Sequence, residues 1–594
     1  MKQMAQSNTN IKLSPTQRIR ILYALLILVA IVFVIRLFYV QVIKYDYYKS
    51  AALSDQLKQY EIPATRGIIE VHNGDSILPI VLNQVLYTLY ADPVYIKNAD
   101  EVASKVQPII GGDVSTIISK LNTKNTRYVV LAKKISPDQH NLITKLKYPG
   151  LGMIAIDYRT YPQANLASQL LGFVNDDGVG VYGLEQYLNK QLQGTPGQLK
   201  AITDIRGVPL AASKDNIDVA PKTGDNVVLT INIAMQQQLE AIIKTGTDRA
   251  KASGVSALIM DPNSGAIKAM ANYPSYDPSQ YSTVKDPSLF QNATVSQPIE
   301  IGSIMKVFVT STALDLGVIN ANTTYFDPAS WIVNGFKISN VEQDGGAGTR
   351  SIFDILNLSL NTGATWMLMQ MGGGQINDKA RSAWHDYMVN HFLFGKSTGV
   401  EQGYEASGYI PSPTDTGSAI DLTYANTAFG QAMTATPIQI ASAFSSVVNG
   451  GTYYKPHLVD QTITSDGLIN SFKPKVVETK VVSLKTRQDI ISLMEQVVHT
   501  HYFTPAFDLG SYSIGGKTGT AQIAMPSGGY FENKYNGTYL GFVGGDKIQY
   551  VIVVFVNKPT ISGYAGVATA QPVFSDIAHM LINNSYVIPR SVAH

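Results

Sequence analysis

At 594 residues the chain is too long for one ordinary domain, so several are expected. The apolar share is 45% and the formal net charge is +2, which gives no electrostatic case for a nucleic-acid partner. Cysteine is absent, which excludes disulfides and thiolate catalysis and argues against a structural zinc site; no cofactor and no metal is expected.

The first element is an apolar run. Ile21 to Ile35 carries no charge, Arg36 interrupts, and Leu37 to Ile43 continues mostly apolar. A helix of about 20 apolar residues spans a bilayer core, so a transmembrane anchor is predicted over 21–43, with the Arg36 stem snorkelling to the outer interface. Lys2, Lys12, Arg18 and Arg20 precede the run with no acidic residue among them. The positive-inside rule then predicts a short cytoplasmic tail at 1–20 and an extracytoplasmic bulk. A cleaved signal peptide is disfavoured, because the run is long and Lys44-Tyr45-Asp46-Tyr47-Tyr48 follows it in place of small residues.

Beyond the anchor, Tyr48 to about Tyr60 reads as a polar helix. Short apolar segments at Gly67–Val71, Gln84–Ala91 and Arg127–Leu131 alternate with helix-like stretches at Asp100–Pro108 and Asp113–Leu121. A turn-rich segment runs from Arg159 to Pro209. The whole of 44–225 is predicted to be an α+β module without a chemical constellation of its own, a spacer or docking element. Asn226–Ile233 is predicted as a strand and Ile233–Ala250 as a helix. Ala257–Met260 and Ala266–Ala271 read as strands about the turn Asp261-Pro262-Asn263-Ser264-Gly265. Near the end, Tyr539–Val543 and Tyr550–Asn557 read as strands and Phe574–Ile582 as a helix. Strands at both ends with helices between predict one α/β sheet closed by the two ends of residues 226–594.

Three short patterns within that region carry chemistry: Ser303-Ile304-Met305-Lys306, Ser359-Leu360-Asn361 and Lys517-Thr518-Gly519-Thr520. Each alone is weak. Ser-x-x-Lys recurs at Ser282/Lys285, and Lys-Thr-Gly recurs at Lys222 and Lys244. Ser282 lies among Pro274, Pro278 and Pro287, so a solvated loop is predicted there. Lys244 reads as a helix end and Lys222 as a turn. Ser303, after Gly302, opens the apolar stretch Ile304 to Leu316, where residues three apart share a helix face and the hydroxyl can meet the amine of Lys306. Ser359 lies in an apolar stretch, Ile352 to Met369, that reads as helical. Lys517 lies on a predicted strand. Strict alternation would put it and Thr518 on opposite faces, so both can serve one site only if that strand is an edge.

In order, these patterns are the parts of a serine acyltransferase. Serine is a poor nucleophile and needs a base. Burial of Lys306 beside a cation such as Lys517 is expected to favour the neutral amine that can take the proton. Ser359 can relay it to the leaving amine, and Asn361 can hold Lys306 or the substrate amide. The N–H groups of Ser303 and Thr520 are the expected oxyanion hole. Thr518, Gly519 and Thr520, with Lys517, are the expected substrate-binding strand, their hydroxyls and cation suited to a terminal carboxylate.

Further segments give the chain a family resemblance. They include Ala64-Thr65-Arg66-Gly67-Ile68-Ile69, Tyr90-Ala91-Asp92-Pro93, Tyr161-Pro162, Gly183-Leu184-Glu185, Met260-Asp261-Pro262, Phe429-Gly430-Gln431, Thr436-Pro437-Ile438-Gln439 and Lys517-Thr518-Gly519-Thr520-Ala521-Gln522. With them the chain resembles the class B penicillin-binding proteins, monofunctional peptidoglycan transpeptidases, and the division type more than the elongation type. The resemblance implies a β-lactamase-like transpeptidase domain at 226–594, a central antiparallel sheet with helices. It also implies an elongated α+β pedestal of the dimerisation type at 44–225, with Arg66 and Glu185 as structural and coupling elements. The implied reaction is attack of Ser303 on the D-Ala-D-Ala bond of a stem peptide on nascent glycan, then cross-linking to a neighbouring amine, with β-lactams as inhibitors. No glycosyltransferase domain fits before residue 225, so a membrane polymerase of the SEDS type is the implied partner. Asn232 stands where the family has Asp, Val71-His72-Asn73-Gly74 replaces Asp-Arg-Asn-Gly, and Ile299-Glu300-Ile301-Gly302 replaces Glu-Pro-Gly. The last touches entry to the serine helix. The rivals are a D,D-carboxypeptidase or slow β-lactamase using water, a β-lactam sensor, for which the short N-terminal tail offers no output domain, and an inactive wall-synthesis scaffold.

Overall fold

The computed structural model describes residues 15–48, 57–202, 217–340, 346–415, 419–500, 507–525 and 529–591. These form two compact units, one of Met1–Ala64 with Thr195–Lys222, the other of Thr65–Gly194 with Thr223–His594.

In the first unit a helix spans Pro15–Phe38 and continues as the π-helical turn Tyr39–Ile43. Its 29 residues are long and apolar enough to cross a membrane. The polar helix expected over Tyr48 to Tyr60 is corrected at its far end: residues 49–56 lie outside the described residues, and Leu57–Ile62 is a strand. It pairs antiparallel with Gly197–Ile202, which in turn pairs with Ile217–Val219. The alternation Leu57-Lys58-Gln59-Tyr60-Glu61-Ile62 fits a strand as well as a polar helix, and pairing with the distant Gly197–Ile202 decides between them.

The second unit contains a seven-stranded sheet in which Ile69–Asn73 pairs in parallel with Asn226–Asn232 and antiparallel with Ser76–Ala91. Against Ser76–Ala91 lie Val129–Ile135 and Leu151–Thr160. A separate small core under these strands is closed by the helices Ala99–Ile110 and Val114–Leu121, which bury Val102, Val106, Ile117 and Leu121.

The central sheet is five-stranded and antiparallel, in the order Ile267–Tyr273, Gly254–Met260, Ile548–Asn557, Tyr530–Gly544, Ser513–Ala524. Its strands from the two ends of the region meet in the middle, as the sequence predicts. The strand Gly254–Met260 is buried throughout, and its period of two divides it between two cores. Ala257 and Ile259 face Leu239 and Ile243 of the helix Ile233–Ala250 and Phe574 of the helix Gln571–Asn583, while Leu258 and Met260 face the helical layer that holds Phe308 and Phe444.

The serine helix, Met305–Asp315, lies inside that layer with every residue from Met305 to Leu314 buried. Its far end is pinned by Asp315, which accepts from Tyr387 Oη at 2.7 Å, Ser483 N at 2.6 Å and Thr486 Oγ1 at 2.8 Å. Burial pushes this carboxyl up, and the hydrogen bonds together outweigh it and hold it below its ordinary value. A depressed carboxyl contributes stability above its unfolded value and loses it as pH falls through the folded one. Asp315→Asn is therefore expected to lower stability by about 1–2 kcal/mol near pH 7 after solvent screening. The difference from the parent should close as pH falls below about 4, which denaturant titrations at several pH values would check.

Candidate active site

Ser303 stands on a single 3-10 turn, Gly302–Ile304, that leads into the serine helix, so the nucleophile candidate precedes the α-helix by one turn. Gly302 has φ +65°, and a Cβ there would come within 3.2 Å of the Thr520 carbonyl. Glycine supplies both the backbone conformation and the close approach. Lys306 is in the first helical turn and its side chain is fully buried.

The amine of Lys306 gathers two of the three motifs. Its Nζ lies 2.8 Å from Ser303 Oγ, 3.1 Å from Ser359 Oγ, 2.6 Å from the Ser359 carbonyl and 2.8 Å from Asn361 Oδ1. Asn361 Nδ2 donates to the Ser339 carbonyl at 3.3 Å, which agrees with Oδ1 being the atom turned to the lysine.

The helical stretch expected around Ser359 is interrupted there. One helix ends at Asn357 and the next begins at Asn361, with Ser359 between them at φ +60°. A left-handed serine costs about 1–2 kcal/mol relative to ordinary backbone, and a break here turns both its carbonyl and its hydroxyl toward one amine. An uninterrupted helix would commit that carbonyl to its own ladder.

The third motif lies on Ser513–Ala524, the edge strand of the central sheet, which meets the condition set for Lys517 and Thr518. Lys517 is 2% exposed, and its Nζ donates to the Thr518 carbonyl at 3.0 Å and to Thr518 Oγ1 at 3.3 Å. Gly519 lets the strand pass close to the serine turn: a Cβ there would meet Thr538 Oγ1 at 2.1 Å and Ile304 N at 3.3 Å. The Thr520 hydroxyl accepts from Gly566 N–H at 3.0 Å and keeps its own proton to donate.

The repeated patterns fall elsewhere. Ser282 and Lys285 are exposed around a 3-10 segment, Pro278–Thr283. Lys244 is not at a helix end: Ile233–Ala250 continues past it, and Gly246 packs on Val573, where a Cβ would come within 2.5 Å. Lys222 forms an isolated bridge with Thr195. Sequence patterns gave no sign of two other neighbours of the site, Tyr530 and Ala432, which meet at Glu300 through hydrogen bonds of 2.7 and 3.2 Å. Their separations in sequence exceed 130 positions, beyond any local motif.

Comparison with known proteins identifies the family of the chain. The family model for the penicillin-binding protein transpeptidase domain matches residues 255–579, more than half of the chain, and the model for the penicillin-binding protein dimerisation domain matches residues 61–229. The chain is 27% identical over 583 residues to stage V sporulation protein D of Bacillus subtilis, covering 97% of this chain and 87% of that protein. It is 26% identical over 570 residues to the peptidoglycan D,D-transpeptidase FtsI of Escherichia coli, covering 95% and 91%. Among solved structures, penicillin binding protein 2X of Streptococcus thermophilus superposes with a TM-score of 0.69 at 22% identity, over 90% of this chain and 83% of that one, a likeness of fold. With both domain models present in this order, the chain belongs to the class B penicillin-binding proteins.

Proposed function

We propose that the protein is a peptidoglycan D,D-transpeptidase that works through an acyl-enzyme on Ser303. The observation that carries this is the fourfold contact of the buried Lys306 amine. A neutral amine has two N–H donors and one lone pair. The Ser359 carbonyl and Asn361 Oδ1 can only accept, so they take the two donors and leave the lone pair for the Ser303 hydroxyl proton.

The reaction then runs in two balanced halves. Lys306 takes the Ser303 proton as Oγ bonds to the carbonyl carbon of the penultimate D-Ala. The oxyanion sits against the N–H groups of Ser303 and Thr520. As the C–N bond breaks, the proton passes from Lys306 through the Ser359 hydroxyl to the departing amine of the terminal D-Ala. In the second half an amine of a neighbouring stem peptide attacks the ester, its proton returns to Lys306 and on to Oγ, and the cross-link is released. Thr518, Gly519 and the Thr520 hydroxyl form the substrate strand, with Lys517 supplying positive charge for a terminal carboxylate. β-Lactams enter by the first half and remain on Ser303.

The apolar helix supports a membrane anchor. With Arg18 and Arg20 before it, the tail is cytoplasmic and the wall-synthesising bulk lies outside. A pedestal at 44–225 and a transpeptidase domain at 226–594 are the proposed divisions, with a SEDS-type glycosyltransferase as the membrane partner that supplies glycan strands.

The test uses the full chain in detergent, treated with a fluorescent penicillin, digested and mapped by mass spectrometry. A stable adduct on Ser303, lost in Ser303→Ala, is expected. A donor peptide ending in D-Ala-D-Ala together with an acceptor amine should then give cross-linked product. Release of D-Ala without cross-links would make the enzyme a carboxypeptidase, and an unlabelled folded protein would overturn the acyl-serine assignment.

A further inference from the structure

The turn that carries Ser303 is held from two sides, and Glu300 reaches both. On one side Ile299 and Glu300 pair antiparallel with Ala435 and Thr434, and Gly302 N–H donates to the Gly430 carbonyl at 3.0 Å. On the other, the Thr538 hydroxyl donates to the Ile301 carbonyl at 3.4 Å, and Gly302 lies against Thr520. Glu300 Oε1 accepts from Ala432 N–H at 3.2 Å on the first side and from Tyr530 Oη at 2.7 Å on the second. Tyr530 opens the strand Tyr530–Gly544, the partner of the strand that carries Lys517, and pairs there with Ala524.

The other carboxyl oxygen, Oε2, is buried and has no hydrogen-bond partner among the described residues. A buried carboxyl with a spare oxygen is an expensive way to fill space, which an apolar side chain of similar size would fill without that penalty. Burial pushes the Glu300 carboxyl above its ordinary range against the pull of the Tyr530 and Ala432 bonds, and burial pushes the Tyr530 hydroxyl up as well. The two groups thus meet in a partly buried hydrogen bond three residues from the nucleophile candidate.

We propose that Glu300 is a positioning residue which, through Tyr530 and Ala432, locks the far end of the Lys517 hairpin to the Ser303 turn. The lock sets the spacing between the Ser303 hydroxyl and the Thr520 N–H, so that both reach one carbonyl group together. It rests on Ser303 being the acylated residue. Because Glu300 meets protein groups and not substrate, its loss slows acylation without weakening the encounter complex.

The experiment measures penicillin acylation of the full chain by stopped flow, separating the limiting acylation rate from the dissociation constant of the pre-covalent complex. Tyr530→Phe and Glu300→Leu are each expected to slow the limiting rate by about 10–100-fold, as a misplacement of reacting groups does, with the dissociation constant changed by less than about threefold. The double variant should be no slower than Glu300→Leu, since the same bond is broken. Glu300→Gln, which keeps an accepting oxygen, should recover most of the rate. Parent-like rates in Tyr530→Phe, additive losses in the double variant, or a loss carried wholly by the dissociation constant would each overturn the lock. If Glu300→Leu does not fold, Tyr530→Phe, which removes one oxygen atom, decides alone. Absence of an adduct in the parent protein is the separate result that removes the acyl-serine assignment and the lock with it.

Discussion

Lys306→Met is expected to lower the acylation rate by about 10²–10⁴-fold, the range for loss of a positioned general base. Methionine fills a similar volume in a site that leaves lysine no exposed surface, so the helix can keep its packing. It leaves the Ser359 carbonyl and Asn361 Oδ1 without the donor they now share, at about 1–3 kcal/mol for each acceptor left unsatisfied. Some loss of stability therefore accompanies the loss of rate. Lys306→Arg separates the two: guanidinium restores donors to both acceptors but cannot lose a proton at any working pH. If both variants are folded by circular dichroism and both are slow, the proton-accepting role stands. A fast arginine variant would mean that Lys306 only positions its neighbours.

Glu185→Ala is expected to lower stability by about 3–5 kcal/mol, the range for breaking a buried charge network from one side. Glu185 is fully buried between two guanidinium groups that are 9% and 3% exposed. Arg66 Nε donates to its Oε2 at 2.8 Å, and Arg159 Nε to its Oε1 at 2.7 Å. Burial pulls the Arg66 guanidinium below its ordinary value, and Glu185 is the main influence opposing that. Without the carboxylate, two cations face one another in a site that also holds the Gly67 carbonyl and Asn83 Oδ1, accepting from Arg159 at 2.7 and 2.8 Å. These bonds tie the start of the strand Ile69–Asn73 to the turn before Asn189, so the consequence should be cooperative loss of this part of the unit. Thermal unfolding of Glu185→Ala should shift by on the order of 10 °C. Penicillin labelling well below the transition should remain near that of the parent, because the Ser303 cluster contains none of these residues. A shift within 1–2 °C of the parent would mean that water reaches the two arginines and solvates them.

Glu300 and Glu185 were visible in the sequence in different ways. Glu185 belonged to a recognisable segment, Gly183-Leu184-Glu185, although nothing local named Arg66, 119 positions away, as its partner. Glu300 lay in the segment before the serine where Ile301 takes the place of the family's proline, but nothing local marked its own role, and Tyr530, 230 positions on, carried no signal. A hydrogen bond between such positions depends on two loops being delivered by different parts of a sheet, which no periodicity encodes. The break at Ser359 is similar: the run from Ile352 to Met369 reads as apolar and helical, yet one helix ends at Asn357, the next begins at Asn361, and the Ser359 carbonyl between them meets the Lys306 amine, 53 positions away.

The sequence by itself determined the elements whose cause is local. The anchor followed from an uncharged run, the strands Gly254–Met260 and Ile548–Asn557 from continuous apolar segments, and the approach of Ser303 to Lys306 from a spacing of three on one helix face. The order of three motifs marked the chemistry. Tertiary structure alone decided that the Lys517 strand is an edge, that Gly302 and Gly519 let it press on the serine turn, and that Leu57–Ile62 is a strand and not a helix. The division has one physical source. Periodicity and steric preference act within a few residues, whereas edges, close approaches and buried charge partners exist only once distant segments have paired.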